Sequence, residues 1–276
     1  MKIIRKIISY ILAIILVTLM SATIILSIVN AVVFSKSNVK KQMQKVDYYT
    51  EINNIIKESA NNYIMQSGFD ESIMDNVISK EKINNDIDKV INAIYEGEEV
   101  EISTDEIKNS LDKNVQQYIA QNNYKVDAQT QKDIEKFEDK IESIYANSIT
   151  YSKSSIKKVV KYFKMAKRMT RVALIASSIL LIIFAIITYK TNRATFGISL
   201  LATGIICIFI KYYSSINIAV NNILMVNKTF SNLMINIINQ VIQYVFIGGI
   251  ILAVLGIALI IIFERKSANE KYEENL

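Results

Sequence analysis

The sequence predicts an all-α membrane protein: a bundle of four transmembrane helices with a helical soluble domain inserted on a helical stalk. The first observation is a set of four long apolar runs, because a helix of about 20 apolar residues crosses the hydrocarbon of a bilayer. The second is the scarcity of helix breakers, with no Pro and only seven Gly in 276 residues. The apolar runs are Ile7–Phe34, Val172–Tyr189, Thr195–Ile210 and Tyr244–Phe263.

Residues 1–34 are predicted to form the N-terminal tail and the first transmembrane helix. Lys2, Arg5 and Lys6 precede the apolar run, as basic residues precede the apolar part of a signal peptide. The run is too long for a cleaved signal peptide, so we expect a retained signal anchor.

Residues 35–156 are predicted to form an extracytoplasmic helical domain. This stretch contains 15 Lys and 22 acidic residues, a local net charge of −7 in a chain whose total is +6. Apolar residues at spacings of three and four predict helices throughout. The predicted helices are Ser35–Met65, continuous with the first span; Asp70–Ile78; Ser79–Tyr95; one opened by a capping box of Ser103 and Glu106; and one from near Ala128 that runs into the second span. The first and last of these would form the stalk.

Residues 157–171 form the predicted basic juxtamembrane helix. Five basic side chains recur at spacings of four and three, which places them on one helix face: Lys157, Lys161, Lys164, Arg168 and Arg171. We interpret this face as a contact for anionic membrane lipids or for an acidic protein partner. Snorkelling at a membrane boundary is the simpler alternative, and pairing with the acidic domain of the same or a neighbouring chain is a third. Because the positive charge is juxtamembrane, we do not predict nucleic-acid binding.

The last third of the chain holds the other three predicted transmembrane helices, at 172–189, 195–210 and 244–263. Between the last two, residues 211–243 are too polar to span and too apolar for a loose loop. We predict an amphipathic helical hairpin outside the membrane that turns near Asn227–Ser231, with an interfacial helix as the alternative. Residues 264–276 are the predicted cytoplasmic tail.

Small residues mark the predicted helix contacts in this region. Gly249, Ala253 and Gly256 share one face of the fourth span, and Gly197 and Gly204 share one face of the third. Small residues let the backbones of two membrane helices approach closely. The sequence leaves open whether that contact forms within one chain or between copies in a homo-oligomer.

The short connections predict that both termini are cytoplasmic and that residues 35–171 are extracytoplasmic. Basic residues are more frequent in cytoplasmic loops, and Lys190, Arg193, Arg265 and Lys266 share a side with the basic N-terminus in this arrangement. The cluster Lys157–Arg171 favours the opposite orientation when it is counted.

Several classes of function are disfavoured by composition. The chain has no His, which removes Ser-His-Asp catalysis and His-dependent zinc sites, and a single Cys207 cannot form an internal disulfide. No nucleotide-binding loop or nucleophile elbow is present. We therefore predict a protein that is not an enzyme and that has no cofactor or metal.

The predicted topology resembles that of membrane subunits of the FtsX/MacB type. Its order is span, outer domain, span, short inner turn, span, short outer connection and span. In that type an ATPase partner drives an outer domain through a stalk, and a cytoplasmic coupling segment joins the second and third spans. Here this connection is only Tyr189–Ala194. The richness in Lys, Ile and Asn resembles that of low-GC Gram-positive bacteria.

Three functional hypotheses follow from the sequence. The first is a non-enzymatic sensor, scaffold or regulatory subunit of the cell envelope, whose extracytoplasmic domain binds a partner or ligand and is coupled to the bundle through the stalk. The second is an oligomeric channel or pore with a hydrophobic gate, since no charged residue lies within the spans. The third is an FtsX-like subunit that works with an ATPase.

Overall fold

The computed structural model describes residues 2–150, 153–217 and 228–273, and this part of the chain contains helices and no strand. It is an all-helical protein, as predicted. The α-helices are α1 Lys2–Val32, α2 Lys36–Lys45, α3 Tyr48–Ser67, α4 Lys80–Glu96, α5 Asp105–Gln121, α6 Ala128–Thr150, α7 Lys153–Thr191, α8 Arg193–Asn217 and α9 Lys228–Glu273. A 3-10 helix, Glu71–Met74, lies between α3 and α4.

Four of these helices are long and apolar enough to cross a membrane. The candidate spans are Lys6–Val32 in α1, Ile156–Thr191 in α7, Arg193–Ser214 in α8 and Lys228–Arg265 in α9. The prediction of four membrane helices is therefore confirmed at the level of helix length and composition. The membrane orientation stays a prediction.

The chain divides into two compact units. We call residues Lys40–Ala166 the central unit, and Met1–Val39 together with Lys167–Leu276 the span unit. The chain passes from the span unit to the central unit within α2 and returns within α7.

The central unit has its own hydrophobic core, built by α3, α4, α5 and α6. The core side chains with no exposed surface include Ile56, Ile64, Ile83, Ile107, Leu111, Val115 and Ile141. Local signals set the helix ends. Ser79 Oγ accepts a hydrogen bond from Lys82 N at the start of α4 (3.1 Å), and Gly97 ends that helix at a positive φ of 78°. These ends confirm the predicted helix Ser79–Tyr95 to within one residue.

In the span unit, α8 and α9 make the most extensive helix contact, and α1 packs on both. Leu16 and Met20 of α1 meet Leu200 of α8 in a buried cluster, against which Leu181 and Phe184 of α7 also pack. The outward faces of the four helices expose large apolar side chains, such as Ile182 and Val254. Lipid is the solvent that such faces suit.

The predicted continuity between the first span and residues 35–65 is wrong. Helix α1 ends at Val32 and α2 begins at Lys36, because local side chains satisfy the free backbone groups there: Asn38 Nδ2 donates to Val32 O (3.0 Å) and Ser35 Oγ accepts from Asn38 N (3.3 Å). A second break follows at Asp47, whose φ of 50° is left-handed and ends the helical path before α3.

Two other boundary predictions are corrected. The predicted helix Asp70–Ile78 is only the 3-10 helix, with Asp70 Oδ1 accepting from Ser72 N (2.9 Å). The capping box at Ser103 does not form, because α5 starts one residue later with Thr104 at its N-cap position. The Thr104 hydroxyl instead donates to Glu142 Oε2 of α6 (2.7 Å), a tertiary contact that the local pattern does not indicate.

Two predictions reach residues outside the described part. Helix α6 begins at Ala128 as predicted, but its continuity with α7 depends on Tyr151 and Ser152, which are not described. The predicted hairpin turn also falls partly outside, since residues 218–227 are not described. Lys228–Ser231, where the turn was expected to extend, is already helical and belongs to α9, which continues without a break to Glu273.

Candidate functional site

The predicted basic face lies on one continuous helix, α7, and all five of its side chains are exposed. The two units divide it. Lys157, Lys161 and Lys164 belong to the central unit, whereas Arg168 and Arg171 belong to the span unit. The face therefore has two parts with different surroundings.

The central-unit part of the face meets the acidic loop that follows α4. Lys157 Nζ lies 3.1 Å from Glu99 Oε1, and the ring of Phe163 packs edge-on against Tyr95 with ring centroids 4.7 Å apart. The stem of Lys164 lies over the loop backbone, since a Cβ added to Gly97 would come within 2.9 Å of Lys164 Cδ. Pairing with the acidic domain of the same chain, one of the sequence alternatives, is therefore present for Lys157.

The span-unit part of the face has apolar neighbours. Met169 and Val172 are exposed beside Arg168 and Arg171, and the apolar run of the second candidate span begins at Val172. Cationic side chains beside exposed apolar ones at the start of a span are typical of the headgroup level of a membrane. Contact with lipid headgroups stays a prediction, and these two arginines are the members of the face that suit it.

The predicted packing residues lie together where α8 crosses α9. A Cβ added to Gly204 would lie 2.6 Å from both Ala253 N and Gly249 O, and one added to Gly256 would lie 2.5 Å from Leu201 N. A Cβ on Gly197 would meet Ile260 Cγ1 at 3.0 Å. The two backbones are thus in direct contact within one chain, with no room for a side chain at Gly204 or Gly256.

The neighbours of this contact are also small. Cys207 is fully buried, and a Cβ on Gly249 would lie 2.7 Å from the Cys207 Cβ. The hydroxyls of Ser199 and Thr203 donate to the carbonyls four residues earlier, at 2.9 and 2.8 Å, so they bury no unsatisfied donor. Gly248 differs from the packing glycines, because its nearest neighbour would be Ile24 Cγ2 at 3.9 Å.

Sequence reasoning missed a buried polar network in the central unit. Asp86 of α4 is 1% exposed and accepts hydrogen bonds from Tyr145 Oη (2.7 Å) and Lys89 Nζ (2.8 Å), with Lys82 Nζ at 3.5 Å. Burial raises the pKa of Asp86, but the bonds from Lys89 and Tyr145 and the charge of Lys82 outweigh it and hold the pKa below its usual value. The burial of Asp86 could have been predicted from its position, since it lies on the apolar stripe of α4 between Ile83 and Val90.

A second buried carboxylate, Glu138 of α6, was also missed. It is 4% exposed, and its Oε1 has no hydrogen-bond partner. Burial and the neighbouring charge of Asp112 raise its pKa to about 7. Lys108 is the nearby cation, but its ammonium is shared with Asp139 (3.2 Å) and Glu142 (3.4 Å). Here too the signal was spacing, because Glu138 lies between Ile134 and Ile141 on the buried face.

These carboxylates do not form a metal centre. Within residues 2–150, 153–217 and 228–273, no group of three or more Cys, Asp or Glu side chains is arranged to hold a metal ion. The polar clusters of the central unit instead join helices: Asp86 joins α4 to α6, and Thr104 and Lys108 join α5 to α6.

No protein-family model, no curated protein and no solved structure matches this chain.

Proposed function

We propose that this is a non-enzymatic integral membrane protein whose central unit lies outside the cytoplasm, binds a protein partner or ligand, and is coupled to the span unit. In this role it would act as a sensor, scaffold or regulatory subunit of a cell envelope. The proposal rests on helix α7.

Helix α7 is the observation that carries the coupling. It is unbroken from Lys153 to Thr191, so one continuous helix belongs to both units. Near its start, Phe163 packs on Tyr95 of α4 and Lys157 pairs with Glu99. Near its end, Leu181 and Phe184 pack against the buried cluster of α1 and α8. A partner that displaced α4 would therefore act on the second span through a single helix.

The other segment that joins the two units, helix α2, is short and is not continuous with its neighbouring helices. Helix α2 has only ten residues and is separated from α1 and from α3 by the breaks at Val33–Ser35 and at Asp47. A helix with a break at each end transmits displacement less directly than an unbroken one. The coupling is therefore assigned to α7 and not to a pair of continuous stalk helices.

Labelling of single cysteines tests the placement of the central unit. In a Cys207→Ser background, Lys125→Cys and Lys190→Cys place one exposed thiol in the central unit and one at the far end of α7. With a membrane-impermeant thiol reagent on intact cells, we expect Lys125→Cys to be labelled and Lys190→Cys to be labelled only after lysis. The reverse pattern would put the central unit in the cytoplasm and refute the proposal.

A second experiment tests the coupling. In the same Cys207→Ser background, a cysteine replacing the buried Thr188 reports on the packing of α7 in the span unit, through its rate of reaction with a membrane-permeant maleimide. Phe163→Ala, which removes the contact with Tyr95, should raise that rate. Tyr162→Ala removes the neighbouring exposed ring and is the matched control. Equal rates in the two variants would rule out coupling through α7.

A further inference from the structure

A cavity lies at the end of the span unit where α1 begins and where α7 passes into α8. Its volume is about 550 Å³, within the usual range for small-ligand pockets. The described residues that line it include Lys6, Tyr10, Ala13, Asn192, Thr195 and Ile198. The cavity is separate from the basic face of α7, because it lies near Thr191 and the basic face lies at the other end of the candidate span Ile156–Thr191.

The cavity is at a membrane boundary. Three candidate spans begin or end beside it: the span of α1 begins at Lys6, that of α7 ends at Thr191 and that of α8 begins at Arg193. Aromatic and basic side chains surround the same level. Arg193 lies over the ring of Tyr189 (5.4 Å), and Tyr189 contacts Phe263 with centroids 6.1 Å apart. Such belts are typical of the level of lipid headgroups.

The lining changes from polar to apolar along both helices as they enter the candidate spans. On α1 the lining residues at successive turns are Lys6, Tyr10 and Ala13, and on α8 they are Thr195 and then Ile198. The outer part of the cavity therefore offers an ammonium and hydroxyl groups, and the inner part offers hydrocarbon. This order matches an amphiphile with a polar headgroup and an acyl chain.

The polar part of the cavity suits an anion. Lys6 supplies a positive charge, Tyr10 and Thr195 supply hydroxyls, and no acidic residue is among the described residues that line it. Asn192 Oδ1 accepts from Ala194 N (3.1 Å) and Thr195 N (3.4 Å), so the NH2 group is the part of that side chain suited to an acceptor. Phosphate oxygens are acceptors that carry the complementary charge.

We propose that this cavity binds the phosphodiester headgroup of an anionic phospholipid, with an acyl chain lying along Ala13 and Ile198. A soluble phosphate would share the polar contacts but would leave the apolar part of the cavity unused. The lipid is therefore the ligand that accounts for the whole lining.

The test compares two lysines at the same boundary. Lys6→Gln removes the cation from the cavity, whereas Lys190→Gln removes an exposed cation that does not line it. The full-length chain is purified, exchanged into nanodiscs of phosphatidylglycerol mixed with phosphatidylcholine, and released for native mass spectrometry. We expect Lys6→Gln to retain about fivefold less phosphatidylglycerol than the wild type, the ratio typical of one basic contact. Lys190→Gln should match the wild type. Equal losses in both variants would refute the site, because they would indicate general surface charge.

A second variant keeps the test independent of charge. Ala13→Phe fills the apolar part of the cavity and should also reduce the retained phosphatidylglycerol, while its thermal unfolding verifies that the chain is folded. If Ala13→Phe is folded and retains wild-type amounts of lipid, the acyl chain does not lie there and the proposal is overturned. In a third arm, millimolar inorganic phosphate should leave the bound lipid in place. Displacement of the lipid by phosphate would assign the cavity to a soluble anion instead.

Discussion

The central unit and the span unit are both helical, yet the central unit buries its large apolar side chains and the span unit exposes many of them. In the central unit, Ile56, Leu111 and Ile141 have no exposed surface. In the span unit, Ile182 and Val254 are about 60% exposed, and the closest helix contact is between glycine backbones. The same secondary structure is thus assembled by two different sets of contacts.

The physical reason is the solvent that each unit suits. In water, burial of apolar area stabilises a fold by roughly 25 cal/mol per Å², so the central unit gathers its Ile and Leu residues inside. Lipid tails are as apolar as those side chains, so burial in the span unit gains little. Close backbone contact takes its place, and small residues are what permit it. Polar groups differ in the same way: Asp86 accepts a hydrogen bond from Tyr145 of another helix, whereas the Ser199 hydroxyl bonds within its own helix.

The largest expected effect contrasts one apolar side chain from each unit. Leu111→Ala leaves a cavity in the central core and should lower the free energy of unfolding by about 2–5 kcal/mol. Ile182→Ala, on the exposed face of α7, should change it much less, because lipid or detergent fills the space. Thermal unfolding of the purified chain in detergent measures both. Equal destabilisation would mean that the outer face of α7 is covered by protein, and the comparison would fail.

The next effect tests the backbone contact of α8 and α9. Gly204→Ala forces a Cβ to within 2.6 Å of backbone atoms that cannot move without separating the helices, and should cost about 1–3 kcal/mol. Gly248→Ala is the matched control, since its Cβ has 3.9 Å of clearance and alanine favours a helix. We expect the control to be as stable as the wild type or slightly more stable. A stable Gly204→Ala variant would contradict the close contact.

A smaller effect concerns the buried network of the central unit. Tyr145→Phe removes the hydrogen bond to Asp86 Oδ2 and should cost about 1–2 kcal/mol, because the lysines still neutralise the carboxylate. Tyr162→Phe, at an exposed ring, should have no measurable effect on the unfolding midpoint. If the two variants unfold at the same temperature, Asp86 does not depend on Tyr145.

The smallest effect is a dependence of stability on pH. The pKa of Glu138 is raised to about 7 from its ordinary 4.5, so the folded chain binds this proton more tightly than the unfolded chain. Its contribution is complete below the unfolded pKa and is lost as pH rises through the folded pKa. We expect the unfolding midpoint of the central unit to fall by a few degrees between pH 5 and pH 8.

Variants of two glutamates on α6 isolate this effect. Glu138→Gln should remove the fall, whereas Glu135→Gln, at an exposed position one turn earlier, should keep it. Asp86 does not interfere in this window, because its pKa is lowered and its contribution is lost only in more acidic solution. An unchanged pH profile in Glu138→Gln would show that another group is responsible.

Periodicity predicted most of the helices because apolar spacing is a local property of the chain. The helix from Ser79 and the helix from Ala128 were predicted from apolar spacing. Their starts are set locally, by the side chains of Ser79 and Asp127 that cap them. The break between α1 and α2 was not predicted, because the sequence alone does not show that the side chains of Ser35 and Asn38 bond to the backbone there. The start of α5 was predicted one residue too early for a different reason, since the Thr104 hydroxyl bonds to Glu142, which lies 38 positions away in the chain.

The sequence by itself determined the number of candidate spans, the helical class and the small faces of α8 and α9. These follow from length, apolar content and residue size, which need no knowledge of neighbours. Only the tertiary structure decided that Gly204 meets Gly249 and Ala253, that Lys157 pairs with Glu99, and that Asp86 and Glu138 are buried. Each of these depends on a contact between residues distant in the chain, and the environment of a carboxylate or a glycine is set by the helix that packs against it.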